Sequence, residues 1–232
     1  MLGDVSILIP FKPDNRIRSE LFNWVIKFYE TLLPEVEVCV GENHEELFNR
    51  SMAINNAAKK ATRNVFVIAD GDIIYNPKVI VQSLLLLDKY AWVIPYKTFM
   101  DFTQESTKKL LKKIPMWPLP VGVEYAERYK NNYKCVSGLI IVPRQNFNRV
   151  GGFDERFKGW GGEDDAFMNA MNTLCGPYKR LEEEYIYHLW HPKVGSKTNS
   201  NYANNYKLYK RYLESNGDAV KMEELIREHK MK

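Results

Sequence analysis

Cysteine is scarce: Cys39, Cys135 and Cys175 are the whole complement of a 232-residue chain. They stand far apart, are odd in number and include no C-x-x-C pair. That excludes a zinc knuckle and a disulfide framework and predicts reduced core thiols in a cytosolic protein. Long hydrophobic runs are also absent. Stretches such as Ser83-Leu84-Leu85-Leu86-Leu87 fall far short of the roughly 20 apolar residues a membrane-crossing helix needs. No signal-peptide pattern precedes the first apolar stretch, so a soluble, cytoplasmic protein is expected. Charge is nearly balanced at a formal +4, compatible with an anionic ligand but too mild to argue for nucleic acid alone. There is no internal repeat and no sign of a second domain.

The composition is globular, with 45% hydrophobic and 27% charged residues, and the length suits one large α/β domain. Val5 to Ile9 is a continuous apolar run ended by Pro10, the pattern of a buried parallel strand. Leu21, Trp24, Val25, Phe28 and Leu32 mark an amphipathic helix that stops before Pro34. Val36, Val38 and Val40 alternate as a second strand. Leu47, Ser51, Ile54 and Ala58 define a second helix, and Val65 to Ala69 a third strand. This order predicts a doubly wound α/β fold with ligands at the carboxyl ends of the strands. Lys78 to Leu87 is predicted helical, Ala91 to Pro95 a strand, and Val136 to Val142 a strand containing Ser137-Gly138. Such a glycine suggests close approach of a ligand or another backbone. Residues 96–135 read as a long, irregular excursion with a helix near Glu105 to Lys113. Lys193 to Asn205 reads as a polar mobile loop, and Tyr206 to Lys230 as a helix or helix pair with a solvated, lysine-rich face.

Two acidic groups stand out. Asp70-Gly71-Asp72 follows the third strand; if the chain stays extended, both carboxylates face one side, suited to Mg²⁺ or Mn²⁺. The plain alternative is a polar turn. Further on, Gly151-Gly152-Phe153-Asp154 leads to Gly159-Trp160-Gly161-Gly162-Glu163-Asp164-Asp165. Phe167, Ala170, Met171 and Leu174 then keep helical spacing, so the carboxylates sit at a helix start delivered by a glycine-rich loop. Asp165 fits ordinary helix capping. Glu163 and Asp164, joined to Trp160 and two glycines, fit chemistry better. A helix N-terminus lowers a carboxylate pKa, so a base there needs burial or a nearby carboxylate to offset it. Late in the chain, His188 and His191 could complete a divalent site begun by carboxylates, although an aromatic-flanked histidine is often a core residue.

Taken together, these segments resemble the metal-dependent inverting β-1,4-galactosyltransferases, a family of GT-A fold. The resemblance runs from Val5 to His191. It rests on Ile7-Leu8-Ile9-Pro10-Phe11-Lys12, on Phe48-Asn49-Arg50-Ser51 with Asn55, on Asp70-Gly71-Asp72 as the D-x-D motif, on Gly151-Gly152-Phe153, and above all on Trp160-Gly161-Gly162-Glu163-Asp164-Asp165. It implies a mixed, mostly parallel Rossmann-like sheet flanked by helices. Residues 1–95 would be the nucleotide-sugar half, 96–192 the acceptor and catalytic half, and 193–232 a polar loop with a helical segment. Pro10, Phe11, Lys12 and Arg16 would line the nucleotide site, Phe48 would stack on uracil beside Arg50, and Asp70 would contact the ribose or donor sugar. Asp72, His188 and His191 would bind Mn²⁺ or Mg²⁺. Trp160, Gly161 and Gly162 would close over a UDP-sugar donor, and Glu163 and Asp164 would hold the acceptor hydroxyl, with Asp164 as base. The chain departs from the family at Lys12, where arginine is usual, and at Lys158, where the first tryptophan of W-G-W stands; the family's anchor and stem are not recognised, so its Golgi placement is not expected to carry over.

Three other readings compete. A nucleotidyltransferase would want a glycine-rich loop after the first strand, and Pro10 to Arg16 contains no glycine. A sugar- or nucleotide-binding module without catalysis would not need the full set of Asp72, Glu163, Asp164 and both histidines. The acceptor could be a glycan, a lipid-linked sugar or a modified nucleic-acid base; the lysine-rich C-terminus permits a polyanion.

Overall fold

The computed structural model describes residues 1–14, 17–129, 135–192 and 199–230. Strand β1 (Val5–Phe11) is buried along nearly its whole length, as its unbroken apolar run requires. Helix α1 (Ile17–Leu32) buries Leu21, Trp24, Val25, Phe28 and Tyr29, one face at helical spacing. Strand β2 (Glu37–Glu42) follows. Helix α2 (Arg50–Lys60) is capped by Asn49, whose side-chain oxygen accepts from Met52 N at 3.0 Å. That cap excludes Leu47 from the helix expected to contain it.

Strand β3 (Val65–Ala69) ends at Asp70, and short strand β4 (Ile73–Tyr75) and helix α3 (Lys78–Leu86) come next. Strands β5 (Trp92–Ile94) and β6 (Thr98–Phe102), helix α4 (Gln104–Leu111) and strand β7 (Tyr125–Glu127) give residues 96–135 more order than their prolines suggested. Strand β8 (Leu139–Pro143) begins after Ser137-Gly138, not before it. Gly138 has φ +82°, and a Cβ there would lie 2.5 Å from Phe99 Cζ, so the close neighbour is an aromatic side chain. Helices α5 (Arg144–Arg149) and α6 (Glu163–Leu174), strands β9 (Tyr178–Arg180) and β10 (Tyr185–His188), and helices α7 (Tyr202–Glu214) and α8 (Ala219–Lys230) complete the chain.

A six-stranded sheet runs β2-β1-β3-β8-β5-β9, with β1 parallel to β2 and β3 and β9 parallel to β5, while β8 is antiparallel to both neighbours. A second sheet runs β4-β10-β6-β7, and its β10–β6 pair is parallel. The expected α/β fold with a mixed, mostly parallel main sheet is therefore observed. The C-terminal helix pair keeps Lys207, Lys210 and Lys221 on a solvated face, while Tyr212, Met222, Leu225 and Ile226 on the other side are buried, so α7 and α8 close the core over α6. Asp154 anchors them: it accepts from Tyr212 Oη at 2.9 Å and pairs with Arg156, which reaches Glu228 at 2.9 Å. Helix α7 also starts at Tyr202, inside the segment read as a loop; residues 193–198 of that segment lie outside the described residues. Among the described residues no helix is long and apolar enough to cross a membrane, and all three cysteines are free.

Candidate active site

A cleft of about 840 Å³ opens beyond the carboxyl ends of β1 and β3. It is lined by Pro10, Phe11, Lys12, Phe48, Arg50, Asp70, Asp72, Trp160, Gly161, Gly162, Glu163, Asp164, His188 and His191, so residues from five separate segments of the chain meet there. Arg16, also expected at this site, lies outside the described residues.

The stretch through Asp70-Gly71-Asp72 does not stay extended. Ile73 N donates to Asp70 O at 3.4 Å and closes a turn. The two carboxylates consequently serve different partners. Asp70 accepts from Arg50 Nε at 2.8 Å. Asp72 goes to the histidines: its carboxylate lies 3.0 Å from His191 Nε2 and 3.8 Å from His188 Nε2. Register explains the meeting, because β10 lies antiparallel to β4 with His188 opposite Ile73. Burial alone would raise the Asp72 pKa, but the neighbouring His188 and His191 outweigh it and hold it well below the usual carboxylate range.

The imidazoles are oriented from behind. His188 Nδ1 lies 3.3 Å from Asp101 Oδ1, and His191 Nδ1 lies 2.8 Å from the Pro192 carbonyl. With the hydrogen on Nδ1, either ring would turn its Nε2 lone pair toward Asp72 and be able to bind a cation there. One ligand atom from each of the three residues lies within 4.8 Å of the others. A divalent cation of the Mn²⁺ type satisfies that donor set, and the outer partners are those that hold metal-binding histidines in place. Asp101 is itself fixed by Arg128, whose Nε donates to it at 2.9 Å; Arg18 Nη2 lies 3.3 Å from His191 Nδ1. Replacing Asp101 by Asn weakens this support, so the affinity for Mn²⁺ should fall about 10–100-fold. Metal titration of the variant by calorimetry checks this, and an unchanged affinity would leave Asp101 a purely structural residue.

The acidic end of the cleft is built on α6. Gly162 precedes the helix at φ +97°, a conformation that favours glycine, and turns Glu163 and Asp164 inward. Their side chains are only 11% and 14% exposed. Arg50 Nη1 donates to Asp164 at 2.8 Å and lies 3.9 Å from Glu163. Burial pushes the Asp164 pKa well above the ordinary carboxylate value; Arg50 opposes this, and Glu163 and Asp70 add to it. Glu163 is raised by burial against the pull of the same arginine. Burial and neighbouring carboxylates thus offset the helix N-terminus, as a base at this position requires. Arg50 Nη2 sits 2.8 Å from Asp70 Oδ1 but makes no aligned hydrogen bond, which leaves a buried donor beside the cleft.

Several expected residues have structural ties as well. Lys12 Nζ donates to the carbonyls of Glu45 and Glu46 at 2.6 and 2.8 Å. Phe11 stacks on Phe22 with ring centroids 3.9 Å apart. Asn55 donates to Phe153 O at 2.8 Å and accepts from Phe153 N at 3.0 Å, and Asn49 donates to Glu155 O at 2.8 Å, so α2 holds the loop that feeds the glycine-rich segment. Trp160 is half-exposed; Asn199 Nδ2 donates to its carbonyl at 2.8 Å, and Tyr202 lies nearly parallel to its ring at 6.0 Å. Sequence reasoning missed Arg18, Asp101, Arg128, Asn199, Tyr202, Tyr206 and Tyr209 in or around this cleft. Asp101 and Arg128 carry no local motif, and only the β6–β10 register reveals them; the tyrosines at 202, 206 and 209 do keep helical spacing.

The cleft at the strand ends thus brings together an Asp–His–His cluster and carboxylates at a helix start. Comparison with known proteins agrees in fold and finds sequence similarity to galactosyltransferases. A family model described as the N-terminal domain of galactosyltransferase matches residues 118–192. Beta-1,4-galactosyltransferase 1 of Bos taurus is 23% identical over 176 residues, which is 72% of this chain and 36% of that protein. The chain therefore spans little more than a third of that relative's length. Among solved structures, the catalytic domain of Drosophila beta1,4-galactosyltransferase 7 in complex with xylobiose superposes with a TM-score of 0.51 at 16% identity, covering 90% of this chain and 79% of that one. GalNAc-T7 with UDP, GalNAc and Mn²⁺ gives 0.54 at 16% identity, covering 98% of this chain and 48% of that one. The chain is galactosyltransferase-like in sequence and GT-A in fold.

Proposed function

We propose that the protein is a metal-dependent inverting glycosyltransferase that moves a hexose or N-acetylhexosamine from a UDP-sugar to an acceptor hydroxyl. The observation that carries this reading is the meeting of Asp72, His188 and His191 with Arg50, Glu163 and Asp164 in one cleft. Residues 1–95 would hold the nucleotide sugar and 96–192 the acceptor and catalytic groups, within one domain. Asp72, His188 and His191 would hold Mn²⁺, or Mg²⁺ in its place; when bound, the cation would neutralise charge on the diphosphate leaving group. A GT-A neighbour binds UDP with Mn²⁺, which supports the donor and metal assignments, and another binds xylobiose, which supports a glycan acceptor.

In this reading Pro10, Phe11 and Lys12 line the nucleotide pocket, and Phe48 offers its ring to the uracil. Arg50 lies beside the uracil, and Asp70 meets the ribose or donor sugar. Trp160, Gly161 and Gly162 cover the donor and exclude water. Asp164 takes the proton of the acceptor hydroxyl while Glu163 orients it, and attack on the face opposite the leaving group inverts the anomeric carbon. The reading is tested by calorimetric titration with UDP in the presence of Mn²⁺, of Mg²⁺ and of EDTA. Binding that requires the metal is expected; equal binding in EDTA overturns the metal assignment, and no binding under any condition overturns the donor.

A further inference from the structure

Residues 108–125 carry an arrangement that sugar transfer does not use. Helix α4 turns Ser106, Thr107 and Leu110 inward, while Lys108, Lys109 and Lys112, followed by Lys113, face solvent. The segment after the helix is held from inside. Pro115 is buried, Trp117 packs against Tyr187 with ring centroids 5.7 Å apart, and Trp24 Nε1 donates to Lys113 O at 2.9 Å. Alternation about Pro115 and Trp117 then turns Ile114 and Met116 outward, 78% and 49% exposed. Val121 stands fully exposed in a turn, where a polar residue would cost nothing. Single exposed apolar side chains are ordinary. Three of them on an anchored loop beside four clustered lysines are the two halves of an interfacial membrane anchor: a basic face for headgroups and an apolar tip for the acyl boundary. Glu105 pairs with Lys109 at 3.9 Å and Glu124 N donates to Ser106 Oγ at 2.7 Å, so Lys108, Lys112 and Lys113 carry most of the net positive charge of this face.

We infer that this face docks on an anionic lipid bilayer, with Lys108, Lys109, Lys112 and Lys113 at the headgroups and Ile114, Met116 and Val121 inserted. The charge complementarity and the outward apolar tip select that occupant. The full chain is tested by flotation with vesicles of phosphatidylcholine alone and of phosphatidylcholine with phosphatidylserine at about three to one. Binding is expected to the anionic vesicles only and to weaken as salt rises. Reversing the four lysines to Glu should lower partitioning on the order of 10²–10³-fold. Ile114→Asn with Val121→Asn should lower it by about tenfold. Circular dichroism and UDP titration of each variant separate a docking defect from a folding or donor-site defect, since none of these residues lies in the cleft. Equal affinity for both vesicle types, or for neither, overturns the proposal. So does binding that survives the Asn pair, which would be surface adsorption without insertion. Self-association of the free chain that the Asn pair dissolves would assign the face to a second copy and equally overturn it.

Discussion

Asp164→Asn is expected to lower the rate of sugar transfer by about 10²–10⁴-fold, the contribution of a positioned general base, while leaving UDP binding unchanged. Asparagine keeps the shape of the side chain and still offers an oxygen to Arg50 Nη1, which now donates to Asp164 at 2.8 Å. The fold and the charge balance near Arg50 should survive, because Asp70 remains bonded to Arg50 Nε. What disappears is a buried carboxylate whose pKa is raised by desolvation and opposed by one arginine, a group poised to accept a proton from a neutral hydroxyl. Single-turnover measurement with saturating donor isolates this step from binding and release. Full activity in the variant would falsify Asp164 as the base and turn attention to Glu163, which shares the cleft and the same arginine.

Asp72→Ala is expected to abolish Mn²⁺-dependent UDP binding. Loss of an outer partner of a metal ligand costs about 10–100-fold, so loss of a ligand itself should exceed about 100-fold. The variant should fold, because the contact that Asp72 makes to the rest of the backbone is through its carbonyl, which accepts from Leu189 N at 2.8 Å whatever the side chain. With the carboxylate gone, two imidazoles remain, too few to hold a hard divalent cation against water. Calorimetry with UDP and Mn²⁺ beside the wild-type chain reads this directly. Undiminished binding would move the metal elsewhere and break the link between the D-x-D motif and the histidines. Because the two variants remove groups with different roles, they should separate cleanly: one binds without transferring, the other does neither.

Local sequence pattern dictates the elements and brings out the residues that line the cleft. Unbroken apolar runs at Val5 to Ile9 and Val65 to Ala69 dictate buried strands, and the spacing of Leu21, Trp24, Val25 and Phe28 dictates α1, because each element must bury its apolar face. The glycines before Glu163 and the helical spacing after it made a carboxylate pair at a helix start legible, and the structure has that helix begin at Glu163. Tertiary structure alone decided how the polar groups are shared. A turn at Gly71 sends Asp70 to Arg50 and Asp72 to the histidines, because a hydrogen bond from Ile73 N to Asp70 O breaks the two-residue alternation that a strand would have kept. The β6–β10 register brings Asp101 behind His188 across 87 positions of sequence, a juxtaposition with no local signature. Packing of α7 and α8 over α6 buries the lysine-rich end's apolar residues, since the exposed hydrophobic face of α6 needed a cover that charge counting could not anticipate. Local pattern reports what each segment must bury; only the closed chain reports which charge meets which.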